Sequence, residues 1–172
     1  DLATLYAVAG QNIREKKNRK FAEEALIKSE NRLKDIIFSI ADWVWEIDLD
    51  GKYTYSSHQG TDLIDLSQDE IIGKKPFDFM TESESQRVSA LYAEFVKNKA
   101  PIVDLENWII GKSNSKICLL TNGLPIFDQQ GNCIGYRGVN KNITERKLVE
   151  ENLKQNENEL NFAQQIARMG NW

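Results

Sequence analysis

The chain carries one histidine and two cysteines, so metal and nucleophile chemistry can be examined residue by residue. His58, Cys118 and Cys133 form no C-x-x-C or H-x-E-type pair, so they do not read as a metal site. No phosphate-cradling glycine loop, G-x-S-x-G or H-E-x-x-H occurs, and no carboxylate pair stands out for acid–base work. Catalysis within these residues is not expected. What remains is polar residues set in otherwise apolar, alternating stretches. Val103, Leu105, Asn107 and Ile109 fall on one face of a strand period, and so do Cys118, Leu120, Asn122 and Leu124. Asn107 and Asn122 are therefore candidate polar groups in a binding pocket. The alternative is that each is a buried Asn satisfying backbone groups at a strand irregularity. Trp108 and Arg137 are expected on adjacent strands, where the planar cation suits either an anionic ligand or a surface ion pair. Tyr55 joins these pocket candidates, although it reads, with Trp43, Trp45 and Tyr53, first as packing.

The elements that must position these residues follow from periodicity. Residues 1–41 read as a helix, with one stripe at Leu2, Leu5, Ala9 and Ile13 and another at Leu26, Leu33, Ile37 and Ile40. Trp43, Trp45 and Ile47 alternate with polar neighbours as in a strand, Asp50-Gly51 supplies a tight turn, and Tyr53–Ser57 returns. Ser67 with Glu70, and Thr81 with Glu84, have the spacing of capping boxes. The second opens a helix with the stripe Val88, Leu91, Tyr92 and Phe95, stopped near Pro101. Three strands follow, at 102–110, 115–127 and 133–142. A last helix starts near Asn142-Ile-Thr-Glu145, with Thr144 as its expected N-cap. Two hairpin blocks joined by helices indicate an α+β fold with one antiparallel sheet. With the last hairpin turning at Asp128–Asn132, Cys118 pairs near Asn142 and not with Cys133, which excludes a disulfide.

The last helix has a seam of its own. Val149, Leu153, Asn156, Leu160, Ala163 and Ala167 are spaced 4, 3, 4, 3, 4, the pattern of a coiled coil with one Asn to set register. A homodimer through the flanking helices follows; packing of that helix on its own domain is the alternative. The chain also repeats itself at an offset of 127 residues. Arg19, Lys20, Glu23, Glu24, Leu26, Glu30, Asn31, Leu33 and Trp45 recur as Arg146, Lys147, Glu150, Glu151, Leu153, Glu157, Asn158, Leu160 and Trp172. The spacing describes a tandem array in which residues 168–172 open a second unit.

Three stretches resemble the PAS domain family: 42–51 its first hairpin, 67–74 its short helical segment, and 135–147 its final strand and junction. The resemblance implies a PAS-like antiparallel five-stranded sheet with short helices and one longer helix on one face, flanked by long linker helices. It assigns residues 1–25 to a linker ending an upstream sensory domain of GAF-like type, 26–143 to the PAS domain, and 144–167 to an output helix. Asn142, Ile143 and Thr144 would form the signal junction, with Asn142 where the family's motif has Asp. It further implies a sensory module of a signalling protein, the parent being a sensor histidine kinase of a two-component system. A diguanylate cyclase parent, or a ligand-free spacer setting dimer geometry, is the alternative.

Cofactors can be weighed against single residues. Haem in such a domain would take a His on the longer helix, and the one His is His58. Met80 is the other thioether or imidazole nearby. A photoactive flavin would need a Cys in a motif the chain lacks. A non-covalent flavin or another small organic ligand stays open. The formal charge of -4 argues against a nucleic-acid partner, and the basic run at 14–20 reads as a solvated helix face. No apolar run reaches the roughly 18 residues of a membrane span. Two cysteines fit a reducing, cytoplasmic setting. The chain opens without Met and reads as a piece of a longer protein.

Overall fold

The computed structural model describes residues 1–169; within it, the side chains of residues 3–10, 12, 13, 38 and 40 are outside the description. The chain divides into two compact units, residues 1–40 and the remainder from Ala41. The first unit is one helix, α1 (Leu2–Ile40), which passes residue 25 without a break. Its charged middle is tied by Arg19–Glu23 at 3.1 Å and Lys20–Glu24 at 3.9 Å. Leu26, Leu33 and Ile37 of the expected stripe are exposed. Leu5, Ala9, Ile13 and Ile40 fall among the side chains not described. No helix of the described residues is long and apolar enough to cross a membrane.

The second unit has the expected α+β architecture. Strands β1 (Trp43–Asp48), β2 (Tyr53–Ser56), β3 (Ile102–Ile110), β4 (Lys116–Phe127) and β5 (Cys133–Asn142) form one antiparallel sheet in the order β2-β1-β5-β4-β3. Helices α2 (His58–Ile64), α3 (Gln68–Ile71) and α4 (Glu82–Asn98), with a 3-10 turn at Pro76–Phe79, connect the two halves. Helix α5 (Thr144–Met169) leaves from β5. The β1–β2 turn closes as the Asp50-Gly51 pair requires: Gly51 takes φ +78°, and the Asp48 carboxylate accepts from the Lys52 amide at 2.9 Å.

The core lies between the inner sheet face and the connecting helices, and includes Trp43, Trp45, Ile47, Tyr53, Ile64, Ile71, Ile109, Leu119 and Tyr136. Glycines admit the two large indoles. A Cβ on Gly60 would collide with the Trp43 ring, and one on Gly138 with the Trp45 ring and the Asn122 carbonyl. Helix α4 is pinned by tyrosines. The Tyr136 hydroxyl lies 2.8 Å from the Phe95 carbonyl and 3.1 Å from that of Ala100, and Tyr92 donates to the Asp48 carbonyl at 3.0 Å.

Of the two expected capping boxes, one forms. The Ser67 amide and hydroxyl both donate to the Glu70 carboxylate at 2.9 Å, and Lys112 reaches it at 2.9 Å. These contacts, the Ser67 amide foremost, hold the Glu70 carboxyl down at about 2. Thr81 does precede α4, but Glu84 does not turn back to it. Its carboxylate is taken by Arg87, at 2.9 and 2.7 Å, and by the Trp108 amide at 3.0 Å. A guanidinium one turn away, plus a strand-edge amide, out-competes the helix-end amide.

Candidate functional site

An internal cavity of about 50 Å³ lies between the sheet and the helical side. Its lining includes Trp45, Tyr53, Phe77, Met80, Leu105, Asn107, Thr121 and Asn140. Most of the wall is apolar, and among the described residues no charged side chain borders it. Its polar groups form a row across four neighbouring strands. On β3, Asn107 Nδ2 donates to Thr121 Oγ1 of β4 at 2.7 Å. Thr121 stands directly opposite Asn140 of β5. Asn140 Oδ1 accepts from Trp45 Nε1 of β1 at 2.8 Å. An indole N–H can only donate, so the Trp45 bond fixes the orientation of the Asn140 amide. Trp45 is itself held flat by the two glycines of the neighbouring strands, Gly123 and Gly138, which its ring covers.

Asn107, 4% exposed, lines this cavity. The other four pocket candidates lie elsewhere. Asn122 points to the outer sheet face, where its Oδ1 accepts from the Asp104 amide at 2.9 Å and its Nδ2 reaches the Asp104 carboxylate at 3.2 Å. It braces a bulge at which Asp104 takes φ +48°. This is the backbone-satisfying alternative, and it has a physical cause. The bulge reverses the phase of β3, placing Ile102 inside and leaving Val103 64% exposed. Along β4 the residues 119, 121 and 123 face in, so Cys118, Leu120, Asn122 and Leu124 do share a face, but the outer one.

Arg137 is also outside. It pairs with Glu46, directly opposite on β1, at 2.6 Å, so it is the surface ion pair and not an anion site. Trp108 is half-exposed on the outer face, and β4 separates its strand from that of Arg137. Tyr55 is exposed on the edge strand β2. The residues sequence reasoning missed are Asn140 and Thr121. A signal was available: Trp43, Trp45 and Ile47 face in, and antiparallel pairing sets Asn140 opposite Trp43. His58 opens α2, largely exposed, with its ring near Asp62 and Thr61. Met80 borders the cavity, but 50 Å³ is far below the ~300 Å³ and more of cofactor-sized pockets.

The junction between β5 and α5 is built tightly. Asn142 Oδ1 accepts from the Thr144 amide at 3.0 Å and from its hydroxyl at 2.6 Å. The Thr144 hydroxyl in turn accepts from the Cys118 amide at 2.9 Å. Ile143 is buried, its amide donating to the Cys118 carbonyl at 2.9 Å. Thr144 is thus the first helical residue and not the cap before it; the acceptor for its amide is Asn142. The Asn142 amide donates to the Asp42 carboxylate at 2.7 Å, tying the end of β5 to the start of β1. Burial pushes the Cys118 thiol up from its ordinary range, and both cysteines are free thiols.

The fold and its junction can now be compared with known proteins. A family model described as the PAS fold matches residues 37–148. The chain belongs to the PAS family. Among solved structures, a PAS domain from Colwellia psychrerythraea is 18% identical, with a TM-score of 0.59 over 70% of this chain and 98% of that one. An RNA-binding light-oxygen-voltage receptor is 15% identical with a TM-score of 0.60, over 73% of this chain and only 37% of that one. The Drosophila melanogaster Cycle PAS-B domain, with bound ethylene glycol, is 14% identical with a TM-score of 0.53, over 58% of this chain and 98% of that one. At these identities the likeness is one of fold. No curated protein sequence matches the chain. PAS domains generally serve signal sensing and are not themselves catalytic, and this chain has their sheet, helices and junction.

Proposed function

We propose that this PAS domain is the sensory module of a longer, cytoplasmic signalling protein. A small molecule, a redox change or a partner alters the inner sheet face, and the change leaves through Asn142, Ile143 and Thr144 into α5. The observation that carries this reading is that α5 is hydrogen-bonded at its first residue to two interior strands of the sheet, β4 and β5, yet none of its 26 described residues is buried. Val149, Leu153 and Leu160 are exposed, whereas helices in proteins draw most of their stability from packing an apolar face. That supports pairing with a second copy along the seam that contains Asn156. The proposed parent is a sensor histidine kinase, with a diguanylate cyclase as the alternative, and with further sensory domains on either side. Of residues 168–172, where the second unit is expected to open, 168 and 169 continue α5 and 170–172 lie outside the described residues.

The test is Asn156→Leu in the full-length parent, followed by its output activity with and without stimulus. A changed basal or stimulated output supports signalling through the seam; unchanged output in both states refutes it.

A ligand-free spacer is the second reading, favoured by the small cavity. A small molecule retained by the purified protein in native mass spectrometry would exclude it.

A further inference from the structure

We infer that the cavity recognises a neutral carboxamide or urea group. This rests on reading the cavity as the sensing pocket. Asn140 Nδ2 and Asn107 Oδ1 have no hydrogen-bond partner among the described residues, although both side chains are nearly fully buried. Neither atom is a closed-off orphan, since no buried polar side-chain atom among the described residues lacks a partner. Both residues line the cavity, so these atoms meet its open space. The Thr121 hydroxyl accepts from Asn107 and keeps its own proton to give.

The row therefore offers N–H from Asn140, O–H from Thr121, and a carbonyl acceptor from Asn107. A carboxamide answers all three: its oxygen accepts two bonds and its N–H donates one. Two bonds set the orientation of the row. Trp45 holds Asn140 oxygen-outward, and the Leu105 carbonyl, 3.4 Å from Asn107 Nδ2, can only accept. A charged group is disfavoured, because no side chain in the lining would neutralise it after desolvation. About 50 Å³ admits a group of a few heavy atoms, given the roughly 10–15 Å³ that one water needs.

The experiment is a titration of the ¹⁵N-labelled chain with acetamide, acetate and N,N-dimethylacetamide, following the Trp45 indole and Asn140 amide resonances. Acetamide is expected to shift both saturably, with a dissociation constant no tighter than tens of micromolar for so small a probe. Acetate and dimethylacetamide, lacking neutrality or the N–H, should bind at least about ten-fold more weakly. Thr121→Val should weaken acetamide by about five- to ten-fold, and Asn107→Leu is the second variant if the first does not fold. Equal responses to acetamide and dimethylacetamide, or bound water that acetamide does not displace, would overturn the ligand class. In that case xenon entering the cavity would leave the pocket reading standing. A cavity closed to every probe, xenon included, would overturn both.

Discussion

Glu106 of β3 reaches Lys147 in the first turn of α5, with Oε2 and Nζ 2.6 Å apart. Its other oxygen lies 3.2 Å from Arg146, and its carbonyl accepts from Arg87 of α4 at 2.7 Å. The next residue, Asn107, faces the opposite way into the cavity. Glu106 thereby joins β3, one residue from the cavity wall, to both α4 and α5.

Glu106→Gln should leave the sheet intact and loosen the start of α5. Amide hydrogen exchange at 145–150 is expected to rise by roughly two- to five-fold, the modest range of a solvent-facing ion-pair cluster, with exchange in β4 and β5 unchanged. An equal change throughout the domain would show that Glu106 acts on global stability.

Asn142→Ala removes the acceptor for the Thr144 amide and hydroxyl. A loss of about 1 kcal/mol in unfolding free energy is expected, as for other helix-end acceptors. Asn142→Asp keeps both bonds. Its favourable dipole contribution of about 0.3–1 kcal/mol is opposed by the Asp42 carboxylate already at this junction. Urea titration at pH 7 should therefore place the Asp variant near the parent and well above the Ala variant.

Acid should act through Glu84. Its carboxyl is held below the ordinary 4.5 first by Arg87 and then by the Trp108 amide, against the cost of burial. A depressed folded value means the stabilisation is fully present above the unfolded value and is lost as pH falls through the folded one. The parent should lose stability below about pH 4.5 more steeply than Glu84→Gln, which should already be about 1 kcal/mol weaker at pH 7. Thermal melts of both proteins from pH 7 to 3 provide the comparison. Glu84→Ala, which removes the acceptor altogether, frees the Trp108 amide on an edge strand, so its concentration-dependent light scattering should increase.

Gly138→Ala places a methyl group against the Trp45 ring and the Asn122 carbonyl. A loss of about 1–3 kcal/mol is expected from overpacking a central strand. Because Trp45 must move, its bond to Asn140 should weaken, and its indole N–H resonance should shift toward the solvent value. A stable variant with an unmoved Trp45 resonance would mean the strand yields instead.

Much of the fold was legible in the residues. The Asp50-Gly51 turn, the Ser67–Glu70 box and the Asp128–Asn132 turn each depend on a few neighbouring atoms, and local chemistry decides them. The last turn also set the pairing of β4 with β5, which brings Cys118 near Asn142 and away from Cys133. The box expected at Thr81–Glu84 lost its carboxylate to two competitors, Arg87 three residues on and the Trp108 amide. No local pattern reports the second.

Sequence by itself determined the element order, the sheet class and the residues of the junction. Tertiary structure decided which strand faces look inward. A period of two says that neighbours face opposite ways; it does not say which way is in. On β4 the phase signal is erased, because Cys118 is buried on the outer face beneath the start of α5 while Leu119 is buried inside. On β3 the bulge at Asp104 reverses the phase midway. Asn140 sits in the polar run Asn-Lys-Asn, which reads as a surface. Only the pairing of β5 between β1 and β4 turns it beneath Trp45, where its amide becomes part of the cavity.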